Sequence, residues 1–129
     1  MLKKVEFTLN GTAIQLSAIS ALGYLDYVEY MNELEKPERP TESDTEKELH
    51  RKLNQANKLN LLVNTRLIAI SMSYAEKEKT VDEIQDHLLN NFTHADILVL
   101  LGKVQDVCEF PKVEKLEDDE VESGEPKNA

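Results

Sequence analysis

The stretch Asn57–Tyr74, N-K-L-N-L-L-V-N-T-R-L-I-A-I-S-M-S-Y, decides the fold. At 3.6 residues per turn, Leu49, Leu53, Ala56, Val63, Leu67, Ile70 and Tyr74 fall on one face of a helix. Leu61, Ile68, Met72 and Ala75 form a second seam down another side. A helix that is apolar on two sides must be packed on two sides, so this segment is the central helix of a small bundle. From Leu59 to Tyr74 only Arg66 interrupts it with charge. Asn54, Asn57, Asn60 and Asn64 are poor helix formers. They require either hydrogen bonds at the edge of the core or a partner, and Asn57 and Asn64 are candidate partner contacts.

Upstream, Ser43-Asp44-Thr45-Glu46 is a capping-box pattern that starts the long helix, whose first three turns, Glu46 to Lys58, are mostly polar. Pro37 and Pro40 make the segment before it a stiff loop. A further helix is expected from Ala18 to Leu34, capped by Ser17, with Ala21, Tyr24, Leu25, Val28, Met31 and Leu34 turned inward. Tyr30 lies off that stripe and points outward in this reading. Tyr27 and Tyr30 are candidate partner contacts, because Tyr is enriched at interfaces. Ahead of this helix, Asn10-Gly11 is a two-residue turn signal within Lys4–Leu16, since both positions favour positive φ. Closure there pairs Val5 with Leu16, Phe7 with Ile14 and Leu9 with Thr12 on one face, and that face must lie on the helices.

Downstream, Thr80-Val81-Asp82-Glu83 is another capping box, opening a short helix through Ile84 and Leu88 to Asn91. Thr93-His94-Ala95-Asp96 repeats the signal for a last helix lined by Ile97, Leu100, Leu101, Val104 and Cys108, which Pro111 stops. The composition changes at Lys112. Residues 112–129 are acidic, with few apolar anchors, and are expected to form a disordered acidic tail after a folded domain over 1–111. The fold expected is mainly α: a bundle of about four helices with an N-terminal β-hairpin.

Composition narrows the function. The chain has 129 residues and a formal net charge of −10. So acidic a surface is repelled by phosphate backbones and anionic lipid, which argues against nucleic-acid and membrane partners. The single cysteine, Cys108, fits a reducing compartment and reads as a small core residue. No apolar run approaches the about 20 residues of a membrane span, and the N-terminus lacks a signal-peptide core. Chemistry-bearing constellations are nearly absent. His50, His87 and His94 are scattered, and Glu83 with His87 supplies two ligands of the three or four a zinc site takes. All four glycines are isolated, so no phosphate loop exists. Neither enzyme activity nor a cofactor is expected.

Three stretches together resemble the minor tail protein G family of lambda-like phages, the tail assembly chaperones. Leu16-Ser17-Ala18-Ile19-Ser20-Ala21-Leu22 is similar to the family's L-S-x-x-S-A-L start, and Leu67-Ile68-Ala69-Ile70-Ser71-Met72 to its aliphatic-x-A-x-S-[ML] helix. The third is the short helix entered at Thr80. The resemblance implies a non-enzymatic protein of the host cytoplasm that binds the tape measure protein, keeps its helices soluble and is absent from the finished virion. It also implies self-association as a possibility, and a longer form, made by ribosomal frameshifting, that recruits tail tube protein. The competing class is an acidic regulatory or inhibitory protein acting on a basic target. It requires ordered carboxylates at phosphate-like spacing, and the densest acids here, Asp118-Asp119-Glu120, lie in the expected tail.

The family's frameshift has a candidate place in Pro126-Lys127-Asn128. If these codons read CCA-AAA-AAC, they contain A-AAA-AAC, on which both tRNAs re-pair one base back. A linker-like tail lets a second domain follow the first without disturbing it. Silent recoding of Lys127 to AAG is expected to abolish the longer product on an immunoblot and to leave the shorter form intact. A longer product that survives recoding places the slip elsewhere.

Overall fold

The computed structural model describes residues 2–109. The Pro111 stop, the 112–129 tail and the Lys127-Asn128 slip site lie outside them. The elements in order are β1 (Lys4–Leu9), β2 (Thr12–Ser17), α1 (Ala21–Glu33), α2 (Glu46–Ser73), α3 (Val81–Asn91) and α4 (His94–Cys108). The chain is mainly α, with four helices and a two-stranded antiparallel hairpin.

The hairpin has the register read from the sequence, with Val5 opposite Leu16, Phe7 opposite Ile14 and Leu9 opposite Thr12. Asn10 (φ 53°) and Gly11 (φ 81°) both take the left-handed region that such a two-residue turn demands. Ile14 and Leu16 are buried, and β2 lies against α2 and α4. At the tip, Asn10 Nδ2 donates to Asp96 Oδ2 at 3.2 Å, tying the turn to the start of α4.

α2 is the hub. It packs on α1, α3, α4 and β2, and Leu67, Ile68, Ala69 and Ile70 are buried in succession. Four consecutive buried residues leave no solvent side, which the two seams require. Ile84 and Leu88 of α3 and Ile97, Leu100 and Val104 of α4 complete the core. The seams fade at their ends: Leu53 is exposed and Ala75 lies past the helix, exposed. α3 and α4 carry the capping boxes expected at Thr80/Glu83 and Thr93/Asp96.

Two boundaries and one helix face differ from the sequence reading. α2 is capped by Thr45 with Glu48, not by Ser43 with Glu46. Asp44, within the expected pattern, instead closes a clip: Lys52 Nζ donates to both Asp44 oxygens (3.0 and 2.9 Å) and to Arg39 O (3.0 Å). The Thr41 amide and the Lys52 ammonium hold the Asp44 carboxyl down at about 2. The clip fastens the proline loop to the polar start of α2, and it explains why Lys52 is buried among exposed turns. α1 starts at Ala21, not Ala18, and its cap is Ser20, whose Oγ accepts from Gly23 N at 3.0 Å. Ser17 is the last residue of β2 instead. Finally, the expected inner stripe of α1 is not buried: Ala21, Tyr24 and Leu25 are exposed, and Val28, Met31 and Leu34 half-buried. Gly23 is the one buried residue of this helix.

Leu67→Ala is expected to cost about 2–5 kcal/mol in urea melts, as truncation of a buried leucine does. A near-neutral result would contradict the central role of α2.

Candidate partner-binding surface

The two serine segments of the sequence meet in space. Ser71, buried in α2, accepts from Ser17 N at 2.9 Å and donates from its hydroxyl to Ser17 O at 2.7 Å. A helix side chain thereby satisfies both backbone groups at the end of β2, groups that would otherwise be orphaned in the core. Three residues on, Tyr74 Oη accepts from Ser20 N at 3.0 Å and lies 3.2 Å from Ser20 Oγ. The approach is open because residue 23 is glycine: a Cβ there would stand 2.7 Å from the Tyr74 hydroxyl. α1 therefore docks on α2 through a gap and two hydroxyls rather than through an apolar stripe.

Its far half is held by a polar cluster. Tyr30 does not point outward. Its ring lies under the Arg66 guanidinium, 4.5 Å from ring centroid to Cζ, and its hydroxyl accepts from Gln85 Nε2 at 3.1 Å. Buried Gln85 also donates to Leu62 O and Thr65 Oγ1, both at 3.0 Å, and accepts from Arg66 Nη1 at 3.1 Å. Arg66 pairs with Asp82 as well. Arg66 thus stands at the junction of α1, α2 and α3, which accounts for its place in the apolar run.

Of the other candidate contacts, Tyr27 is half-buried against the core, its ring 6.3 Å from that of Tyr24. Burial, with Tyr24 beside it, pushes its phenol pKa up. Asn57 is exposed and Asn64 half-buried. Asn54 and Asn60 are exposed as well. Glu83 spends its carboxylate on its own cap, accepting from Thr80 N at 2.9 Å, and His87 packs edge-on to Phe92. Cys108 is half-buried, and burial raises its thiol pKa.

What sequence reasoning missed is the exposure of the α1 leucines. Leu22 is 68% and Leu25 56% exposed, large values for leucines of a short helix. Leu22, Asp26, Glu29 and Glu33 form one wall of an open groove of about 460 Å³ between α1 and α2. Tyr30, Arg66, Ile70 and Tyr74 lie along its other side. The spacing of Asp26, Glu29 and Glu33 puts them on the outer side of α1, and they are exposed, but it does not tell that the leucines beside them stay exposed too.

A small helical body with an open groove and an exposed apolar helix edge has the form of a binding module. Over residues 1–127 the chain matches the family described as the bacteriophage lambda tail assembly chaperone, protein G, and it belongs to that family. No curated protein and no solved structure matches it. No described helix is long and apolar enough to cross a membrane.

Gly23→Ala is expected to cost about 1–3 kcal/mol by forcing the Tyr74 hydroxyl aside, and Tyr74→Phe about 1 kcal/mol through its lost hydrogen bonds. The double variant should cost clearly less than the sum in urea melts, because the hydroxyl that the new methyl strikes is gone. Strict additivity would mean that the Gly23 gap does not seat Tyr74.

Proposed function

We propose that this protein binds the tape measure protein in the host cytoplasm, keeps its amphipathic helices soluble until the tail tube forms around them, and is left out of the finished virion. The observation that carries this reading is family membership along almost the whole chain. The exposed leucines of α1 and the groove beside them support it, since a helix shields a client's apolar face by offering one of its own. Tyr27, Tyr30, Asn57 and Asn64 remain proposed partner contacts, and Tyr30 reaches the client through the groove that it lines. The folded domain is proposed to span residues 1–111, with 112–129 as a linker-like tail. Several copies act on one client and associate with one another. A frameshifted longer form brings tail tube protein to the complex. Neither nucleic acid nor membrane is a partner, and no catalytic step is involved.

Co-expression with the tape measure protein encoded beside it tests the reading. The tape measure protein is expected in the soluble fraction, co-eluting with this chain on size-exclusion chromatography and dissociating in part as salt rises. A tape measure protein that stays insoluble, or elutes alone, overturns it.

A further inference from the structure

The groove wall carries charge that the fold does not use. Asp26, Glu29 and Glu33 succeed one another along about 10 Å of helix axis. Among the described residues none of them forms an ion pair. Arg66, the cation in the groove, is committed to Asp82, Gln85 and the Tyr30 ring, so it does not neutralise the wall. At the other end of the same wall stands Leu22, and Leu25, three residues along and also exposed, lies beyond the groove lining. Val81, at the start of α3, borders the groove as well. The surface is thus apolar at the N-terminal end of α1 and anionic toward its C-terminal end.

We propose that this groove holds a cationic amphipathic helix of the client. Its apolar side chains seat against Leu22 and Val81 in the groove and against Leu25 beside it, and its Lys or Arg side chains pair with Asp26, Glu29 and Glu33. The proposal rests on the chaperone reading above and adds the surface and the client chemistry. Charge complementarity selects this occupant. A second copy, with its net charge of −10, would bring like charge to the wall, and so would the acidic 112–129 segment. A helix fits because α1 presents about three turns of matching repeat, so that side chains at i, i+3 and i+7 of the client meet the three carboxylates in register. The carboxylates lie at an exposed rim, where each contributes about a twofold change in affinity.

The experiment uses the full chain and two labelled peptides of about 18 residues, long enough to be helical alone. One is an amphipathic Leu/Lys helix, and in the other every Lys is Glu. Fluorescence anisotropy is expected to show the Leu/Lys peptide binding at least about tenfold more tightly. The triple variant Asp26→Asn, Glu29→Gln, Glu33→Gln should lose about tenfold for that peptide. Leu22→Ser with Leu25→Ser should lose a similar factor, as both side chains are exposed and their replacement spares the core. A charge-matched control, Glu6→Gln, Glu42→Gln, Glu78→Gln, should change affinity less than about twofold. Equal affinity for the two peptides, or equal loss in the control and the groove variants, overturns the proposal. The same variants in the tape measure co-expression separate the two ideas. If wild type and groove variants all retain the tape measure protein, the groove is wrong and the chaperone reading stands. If the Leu/Lys peptide binds in the groove while wild type fails to retain the tape measure protein, the chaperone reading fails and the groove stands.

Discussion

The Ser71 hydroxyl clasped between Ser17 N and Ser17 O is the contact on which the architecture turns. Thr65 and Ser71 are buried in α2, so each hydroxyl must find its partners within the protein. Ser71 does so by bonding the end of β2, and this fixes how far along α2 the hairpin sits. Once the hairpin is seated there, Ile14 and Leu16 meet the core, and the chain leaves β2 heading for Ser20 and Tyr74. Thr65 resolves the same constraint in another way, returning its hydroxyl to Leu61 O at 2.8 Å and accepting from Gln85. The two buried hydroxyls thus orient the hairpin on one side of α2 and α3 on another.

α1 obeys a different rule. Elsewhere the helices are held by buried Leu, Ile and Val, whereas α1 buries only a glycine and half-buries Tyr27 and Tyr30. Its attachment is the Ser20–Tyr74 pair at one end and the Tyr30–Arg66–Gln85 cluster at the other. Polar contacts of this kind contribute about 1 kcal/mol each rather than the several of a buried leucine. α1 therefore belongs to the least stable part of the described fold, where elements that respond to partners are found. Its leucines stay exposed because nothing in the described residues competes for them.

The acidic groups divide by employment. Glu48, Glu83 and Asp96 close capping boxes, and Asp44 closes the clip with Lys52. These carboxylates serve the fold and fix where each helix begins. Those along the groove wall serve no internal partner, and their mutual repulsion is a standing cost to α1.

The sequence by itself determined the hairpin and its register, because Asn10-Gly11 admits one closure and a one-residue slip would turn Phe7 and Ile14 to solvent. It determined α3 and α4 through their Thr caps, and α2 as the centre through two seams. These are local or strictly periodic signals. It also carried the resemblance to the chaperone family, whose serine segments prove to be the residues that touch. Only the tertiary structure decided that the apolar stripe read for α1 stays largely unburied, since the face by which this helix docks rests on Gly23 admitting Tyr74. The same holds for the two-residue shift of the α2 cap, where Asp44, within the expected pattern, pairs instead with Lys52, eight residues along. Tyr30, too, was settled by partners on α2 and α3 at long sequence separation. Periodicity records what a helix is able to bury, whereas what it does bury depends on the shape and hydrogen-bonding needs of the elements packed against it.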